Sequence, residues 1–208
     1  MSYKFSYKPY KNSDFIRSLV STQLLMELNL SEFVKKNQII KLSKKYSLNE
    51  YSKDLDITWI ELLCMGEFDG EWNKKTFNEF ISPIERKKGS KVILENNTAI
   101  AATFASAVIY ENKEVGRLDF VVTHPDHRKK GLGKNICIAV INHFIEKKYK
   151  KVILQTDDWR IPAIAVYLKL GFKPVITSKE LEKRWNKIMK TYFNENLFYR
   201  FNNQIYKT

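Results

Sequence analysis

The chain has 208 residues, of which 44% are hydrophobic and 13% aromatic, and its 36 Lys plus Arg exceed its 23 Asp plus Glu by a formal net charge of +13. This composition excludes an intrinsically disordered chain and is typical of one globular core, with room for an added subdomain. No apolar run is long enough to span a bilayer, and the N-terminal segment lacks the apolar core of a signal peptide. The sequence therefore predicts a soluble, cytoplasmic protein with no membrane partner.

The positive charge does not by itself identify a partner. The lysines are spread along the chain rather than gathered in one basic arm, which is typical of a solvated surface. Nucleic acid is therefore not the predicted partner, and salt-dependent binding to any DNA or RNA is kept only as a third hypothesis. The two cysteines, Cys64 and Cys137, lie within apolar segments and are interpreted as small buried hydrophobic side chains.

The N-terminal part of the chain predicts one strand followed by a helix. Residues 3–10 alternate polar and aromatic types, as a strand does. Residues 12–14 offer an N-cap for a helix whose apolar side chains recur at helical spacing as far as Leu28. Residues 31–56 are polar and rich in lysine, and they predict short helices or a variable loop.

The rest of the chain predicts helices first and strands later. Helices are favoured over 57–65 and 72–81, and the segment Pro83–Gly89 is predicted to break the second one. Predicted strands follow at residues 91–95, 99–110, 114–123, 151–156 and 172–176, with a last one within 193–208. Further helices are predicted at residues 132–145, 162–170 and 179–192.

This order of elements predicts a mixed α/β (α+β) fold with a mostly antiparallel central sheet of six to seven strands flanked by helices. One helical crossover joins the strand that ends at Thr123 to the strand that begins at Lys151, so we expect these two strands to be parallel. No linker or repeat divides the chain, which predicts a single domain over 1–208. Its predicted parts are a variable helical region at about 12–88, core signatures at 114–176 and a C-terminal extension at about 179–208.

The most informative segment is HPDHRKKGLG, at residues 124–133, where an apolar strand gives way to an apolar-periodic helix. Gly131 and Gly133 let the backbone turn tightly and approach a ligand. The start of the helix exposes unpaired N–H groups and the positive end of a dipole, which suits phosphate or pyrophosphate. Taken alone, the turn also fits a purely structural role, and it matches neither a dinucleotide fingerprint nor a Walker A loop.

A second segment, RIPAIAVYLKLGFKPV, follows at residues 160–175. The first segment matches the pattern Gln/Arg-x-x-Gly-x-Gly/Ala, and the second matches A-x-x-x-Y-x-x-x-G-F. The matching residues are Arg128, Gly131 and Gly133 in the first segment and Ala163, Tyr167, Gly171 and Phe172 in the second. Together, and in this order, the two segments resemble those of the GNAT family of acyl-CoA N-acyltransferases, and the resemblance covers most of residues 3–176.

The resemblance implies a GNAT-like sheet with a splayed pair of parallel strands, and the transfer of an acetyl group from acetyl-CoA to a primary amine by direct attack. The N–H groups of Lys129 to Lys134 would hold the pyrophosphate, and the edge of strand Val121–Thr123 would pair with the pantetheine arm. The implied cofactor-binding residues are Val121, Val122, Thr123, Arg128, Lys129, Lys130, Gly131, Leu132, Gly133, Lys134, Arg160 and Ala163. Arg160 departs from the family pattern, since many members have an asparagine there.

Two side chains are candidates for the proton transfers. Tyr167 matches the usual acid of the family, whose phenol would protonate the leaving thiolate, and the alternative is a core aromatic with a satisfied hydroxyl. Asp119, within the apolar run LDFVV, is the candidate base, and the alternative is an aspartate paired with Arg117. No metal is predicted, because His124 and His127 have no further ligands nearby in the sequence.

The predicted partners are acetyl-CoA and an amine acceptor, which is either a small molecule or a peptide. The acceptor itself is not identified by the sequence, and a homodimer is compatible with exposed sheet edges. An aromatic set of Trp59, Phe68, Trp72 and Phe77 is better explained by core packing than by an acceptor pocket. The alternative function is a non-catalytic module that binds or senses acyl-CoA, which predicts CoA binding without any effect of the Tyr167→Phe substitution.

Overall fold

A computed structural model describes residues 23–68 and 70–193. In the described part of the chain, seven strands form one sheet: β1 (Leu24–Asn29), β2 (Ser47–Glu50), β3 (Lys91–Glu95), β4 (Thr98–Tyr110), β5 (Lys113–Thr123), β6 (Lys151–Thr156) and β7 (Lys173–Pro174). The helices of the same ranges are α1 (Leu30–Lys35), α2 (Asp56–Cys64), α3 (Lys74–Ile81), α4 (Ile84–Gly89), α5 (Leu132–Glu146), α6 (Ile161–Leu170) and α7 (Lys179–Tyr192). The spatial order of the strands is β2-β3-β4-β5-β6-β1-β7.

The sheet contains one parallel pair of strands. The described neighbours are antiparallel except β5 and β6, which run parallel and are connected by α5. This confirms the predicted mixed, mostly antiparallel sheet. The parallel pairing ends at Leu118 and Leu154, although β5 continues to Thr123 and β6 to Thr156. The two strands therefore splay at their carboxyl ends.

The two faces of the sheet bury different kinds of side chain. The face under α5, α6 and α7 is mainly aliphatic and includes Ile136, Val140 and Leu154, each at most 1% exposed. The face under α2 and α3 carries an aromatic cluster. This cluster consists of Trp59, Trp72, Phe77, Phe80 and Phe104, with Phe68 and Phe120 packed at its edge.

Gly116 explains how closely α5 approaches the sheet. A Cβ atom at this position would lie 2.7 Å from the ring of Phe144, closer than a real Cβ contact allows. The helix therefore packs directly on the backbone of β5, and its N-terminal end is held beside the carboxyl end of the same strand.

Most of the elements predicted from residue 57 onwards are confirmed within a residue or two at each end. They are the strands predicted over 91–95, 99–110, 114–123 and 151–156, and the helices predicted over 57–65, 72–81, 132–145, 162–170 and 179–192. The region 31–56, for which short helices or a loop were predicted, contains α1 and a long connection, but also the edge strand β2.

The prediction of a helix as far as Leu28 was wrong, because residues 24–29 form β1. Leu24, Met26 and Leu28 are buried, while the residues between them are only half-buried, which is the period of a strand. Antiparallel pairing with β6 on one side and β7 on the other then satisfies the backbone.

Two shorter predictions also need correction. The predicted break before Pro83 is present, since α3 ends at Ile81, but the segment is not irregular. Ile84–Gly89 form α4, and Pro83 precedes its first residue, where the missing N–H costs nothing. The strand predicted over 172–176 is reduced to Lys173–Pro174, since proline cannot donate to a sheet ladder.

Three predicted elements lie outside the described residues: the strand over 3–10, the N-cap at 12–14 and the strand in the tail after residue 193. Within the described ranges, none of the helices combines the length and the apolar character needed to cross a lipid bilayer.

Candidate active site

The turn between β5 and α5 has the backbone conformation that its glycines predict. After Thr123, a short 3-10 turn spans Pro125–His127, and Gly131 caps α5 with a φ of 76°. A Cβ atom at Gly131 would meet nothing closer than 3.8 Å, so the left-handed backbone rather than packing favours glycine there. A Cβ atom at Gly133 would make an ordinary 3.5 Å contact with the Thr123 hydroxyl. The helix therefore starts close against the end of the strand.

Basic side chains surround this start of α5. Arg128, Lys129 and Lys130 are exposed, and Lys134 is half-buried on the first helical turn. The Lys130 ammonium donates to the backbone carbonyl of Asp126 at 2.8 Å, which holds it against the turn. No side chain of the described residues caps the helix, so its first N–H groups are available to a ligand. Uncapped N–H groups beside several positive charges are a suitable environment for phosphate.

Some of the predicted cofactor residues can offer only their backbone. Leu132 is 2% exposed in the aliphatic core, and Val122 is 5% exposed against the aromatic cluster. Val121 packs partly against the aliphatic core, and Thr123 is half-buried. The structure therefore brings these residues together at one point, but as a strand edge and a helix start rather than as a set of contacting side chains.

A β-bulge interrupts β5 where the two parallel strands separate. The register against β4 shifts between Ala102 and Phe104, and Phe120 has a φ of 50°. From the β4 side, the hydroxyl of Thr103 donates to the backbone carbonyl of Asp119 at 2.9 Å. Bulges redirect backbone groups, and this one lies on the edge that β6 leaves unpaired. The cleft can therefore offer backbone N–H and C=O groups to a ligand that carries amides.

Tyr167 lies in α6 and is 5% exposed. Burial, followed by the nearby thiol of Cys137, raises the pKa of the Tyr167 phenol well above its usual range. Its ring packs edge-on against Phe172 at 5.9 Å, and the hydroxyl makes no hydrogen bond to another described residue. The phenol is therefore held protonated, which an acid requires. The alternative, in which a core hydroxyl is satisfied by the protein, lacks a visible partner among the described residues.

Asp119 is engaged in a network of side chains. Its Oδ1 atom lies 2.7 Å from Nε of Arg117, and its Oδ2 atom accepts hydrogen bonds from Arg117 at 3.0 Å and from the Ser106 hydroxyl. The buried Arg86 in turn donates from Nε to Ser106 at 2.7 Å. Since Oδ2 accepts two hydrogen bonds and Oδ1 lies in an ion pair with Arg117, the geometry favours the paired interpretation of Asp119, and its role as a base stays a prediction.

Arg160 precedes α6 and is committed to contacts within the protein. Its Nε donates to the carboxylate of Asp157 at 3.0 Å, and its guanidinium also donates to the backbone carbonyl of Glu67. The same guanidinium lies 5.1 Å from the centre of the Phe68 ring. Arg160 thus ties the loop after α2 to the start of α6, while Ala163 is half-buried one turn further on.

The two loop histidines contact neighbouring side chains and backbone. His127 lies between the Tyr46 hydroxyl, 3.2 Å from its Nδ1, and the carboxylate of Glu95, 3.4 Å from its Nε2. Burial lowers the pKa of His127 despite the nearby carboxylate. Among the described residues, no three His, Cys, Asp or Glu side chains gather as metal ligands would.

Two further residues at this site, Lys41 and Asn135, were not predicted from the sequence. They belong to a cavity of about 430 Å³ that opens beside Gly131. Lys41 comes from the connection between α1 and β2, so no local pattern around the glycines could have indicated it. Asn135 follows the glycine segment by one helical turn, but the amphipathic pattern of α5 gives no reason to single it out.

The edge of two splayed strands and an uncapped, positively charged helix start thus meet at one point of the fold. The chain belongs to the acetyltransferase (GNAT) family, whose model matches residues 56–172, more than half of its length. A mycothiol acetyltransferase of Saccharomonospora viridis is 38% identical over 68 residues, which cover 33% of this chain and 22% of that protein. The chain thus matches only about a fifth of that relative.

Solved structures support the same fold. Glucosamine-6-phosphate N-acetyltransferase from Arabidopsis thaliana superposes with a TM-score of 0.53 and 20% identity, covering 65% of this chain and 98% of that one. An aminoglycoside 6'-N-acetyltransferase from Acinetobacter haemolyticus gives a TM-score of 0.53 and 19% identity, covering 64% and 97%. At this level of identity, the likeness establishes the fold and leaves the acceptor undetermined.

Proposed function

We propose that this protein transfers an acetyl group from acetyl-CoA to a primary amine. The observation that carries the proposal is that three features meet at one point: the splayed ends of β5 and β6, the bulge at Phe120 and the uncapped start of α5. A peptide-like arm with a pyrophosphate at one end fits such a site, because the strand edge pairs with amides and the helix start binds phosphate.

The residues present fit acetyl-CoA as co-substrate. The backbone from Lys129 to Lys134 would hold the pyrophosphate, and Arg128 adds positive potential beside it. The edge of Val121–Thr123 would align the pantetheine arm in the cleft. Arg160 would help to shape the cleft through the loop that it anchors, rather than through a contact of the family type. When bound, acetyl-CoA supplies an acetyl group that is already activated as a thioester.

The side chains and backbone around the cleft would serve the remaining steps. Tyr167, protonated through burial, is the proposed donor to the leaving sulfur. Backbone N–H groups near the bulge would face the oxygen on which negative charge develops. The contacts of Asp119 assign it to neither of these roles. To act as the base that takes a proton from the amine, it would first have to release a hydrogen bond from Arg117 or Ser106.

The paired state of Asp119 keeps a second function under consideration. A module that binds or senses acyl-CoA without turnover needs the phosphate site but no free base. The two functions differ in one measurable property, because only the transferase predicts thiol release that falls when Tyr167 is replaced by phenylalanine.

The first test is thermal melting of the full chain with and without acetyl-CoA, for the wild type and for Gly131→Glu. A ligand that binds only the folded protein stabilises it by about 2.7 kcal/mol at a hundred times its Kd. We expect a clear rise in Tm for the wild type and none for the variant, in which a carboxylate faces the phosphate site. The absence of a rise at millimolar acetyl-CoA would overturn the proposal.

The acceptor is then sought by measuring thiol release with a panel of amines. The named relatives justify an amino sugar phosphate and an aminoglycoside, and a short peptide with a free N-terminus represents the peptide class. Thiol release that depends on one class of amine would identify the acceptor class. CoA binding without release for any amine would instead favour the binding module.

A further inference from the structure

Residues 36–46, here called the strap, join α1 to β2 and cross from the end of α6 to the start of α5. The Gln38 side chain donates to the backbone carbonyl of Lys169 at 3.4 Å, near the end of α6. At the other end of the strap, the Tyr46 hydroxyl lies 3.2 Å from Nδ1 of His127, in the turn before α5. The side chains of Ile40 and Leu42, within the strap, also pack against the aliphatic core. The strap is therefore attached at several points along its path.

Asn135 attaches the middle of the strap to the first turn of α5. Its Oδ1 atom accepts the backbone N–H of Lys41 at 2.9 Å, and its Nδ2 donates to the backbone carbonyl of Lys41 at 2.8 Å. Asn135 is 7% exposed, and its own N–H donates to the carbonyl of Gly131 at 3.0 Å. An amide side chain both donates and accepts, so an apolar side chain of similar size could replace neither bond.

The attached strap forms one wall of the 430 Å³ cavity beside Gly131. Lys41 lines this cavity from the strap, while Lys130 and Lys134 line it from the turn and from α5. Three lysines that line one concave surface produce a positive potential that attracts anions. Without the bonds to Asn135, the wall that carries Lys41 would lose its attachment to the helix.

We propose that Asn135 is a positioning residue for acyl-CoA, which holds the strap so that Lys41 faces phosphate groups bound at the start of α5. The inference rests on the proposed function, since it assigns a further wall to the same cofactor site. Asn135 touches no reacting atom and acts through Lys41, because its polar atoms are both used in bonds to the Lys41 backbone.

A double-mutant cycle on the full chain tests this role, with CoA binding measured by calorimetric titration. The variants are Asn135→Ala, Lys41→Ala and the combination, and Lys44→Ala is the matched control, because Lys44 is an exposed strap lysine outside the cavity lining. We expect each single cavity variant to weaken CoA binding about tenfold, the size of a hydrogen bond to a charged group. In the Asn135→Ala background, Lys41→Ala should weaken CoA binding by less than about a further twofold, because the effects of coupled residues are not additive.

One further variant, together with the control, separates positioning from a merely structural effect. Lys41→Arg keeps the charge and should restore binding to within about twofold of the wild type, and Lys44→Ala should leave binding unchanged. Additive losses in the cycle, or equal losses for Lys41→Ala and Lys44→Ala, would overturn the inference. The comparison of Lys41→Ala with Lys44→Ala can be made even if Asn135→Ala proves too unstable to titrate.

The result for the wild type distinguishes the two proposals. If the wild type binds no CoA, the proposed function fails together with the inference. If the wild type binds CoA and the cycle is additive, the proposed function stands and only the role of Asn135 is lost.

Discussion

The two faces of the sheet are stabilised in different ways, and the cleft lies where they meet. The aliphatic face is covered by long regular helices, with 15 residues in α5 and 14 in α7. The aromatic face is covered by α2 and α3, which have only 9 and 8 residues, and it buries a group of contacting rings among aliphatic side chains. The two faces therefore differ in the length of the helices that cover them and in the kind of side chain that they bury.

This difference continues to the edge of the cleft. On the aliphatic side, the start of α5 is positioned by the strand and turn that precede it. On the aromatic side, Phe68 is held by its edge-on contact with Phe120 at 5.1 Å and by Arg160. One guanidinium thus connects the loop after α2 to the start of α6. We therefore expect a lost ring on the aromatic face to lower mainly the free energy of unfolding, and a lost hydroxyl on the aliphatic side to lower mainly kcat.

The largest effect on stability is expected from Phe104→Ala, which removes the ring at the centre of the aromatic cluster. Phe104 is 0% exposed and lies 4.9 to 6.2 Å from five other rings, measured between centroids. Its loss should lower the free energy of unfolding by about 3–5 kcal/mol, as the cavity left by a large core ring does. Urea unfolding measures this change, and Val34→Ala at an exposed position is the control. A loss below about 1 kcal/mol would contradict a tightly packed cluster.

The next largest effect is expected from Tyr167→Phe on the aliphatic side. Removing a general acid should lower kcat about a hundredfold while CoA binding stays within about twofold of the wild type. Because burial raises the pKa of this phenol above its ordinary value of 10.0, the wild type should keep its acid form across the neutral and mildly alkaline range. Thiol release against pH measures both properties, with the amine identified by the acceptor screen.

An unchanged kcat in Tyr167→Phe would contradict the acid role. It would favour the alternative of an acyl-CoA-binding module, provided that CoA titration shows the variant to be folded and competent to bind.

A smaller effect is expected from Asp119→Asn, which tests the two roles of this residue. The substitution keeps the shape but weakens the contacts with Arg117 and Ser106, so the free energy of unfolding should fall by about 1–2 kcal/mol. If Asp119 only pairs, kcat should change by less than about tenfold, and its pH profile should keep its shape. A loss of the acidic limb of that profile would instead establish the base role.

Local conformational requirements explain why the glycine turn could be predicted from the sequence. Gly131 needs a positive φ, which glycine adopts readily. The apolar spacing of the strand before it and of the helix after it can each be recognised from consecutive residues. The parallel pairing of β5 and β6 followed from the single helical crossover between them.

The features that the sequence did not predict depend on distant contacts. The LLMEL segment fits the periods of both a helix and a strand, and only its pairing with β6, for example Leu24 with Thr156, decides between them. Asn135 and Lys41 are 94 positions apart, and nothing near either residue indicates the other. The bulge at Phe120 is likewise set by its register against β4, since phenylalanine has no intrinsic preference for a positive φ.

The smallest effect is expected at Tyr51, at the margin of the aromatic face. Burial, and then the hydrogen bond that its hydroxyl donates to Asp56 at 2.9 Å, raise the pKa of Tyr51 to about 12. The folded protein therefore favours the protonated phenol, which contributes stability that is fully present below the ordinary pKa of 10.0 and is lost as the pH rises towards 12. Tyr51→Phe should flatten the fall in the urea midpoint between pH 9 and 11, whereas Tyr192→Phe, at an exposed position, should leave the slope unchanged. Equal slopes in the wild type and Tyr51→Phe would show that the contact with Asp56 does not contribute to alkaline stability, and that ring packing alone holds this margin of the aromatic face.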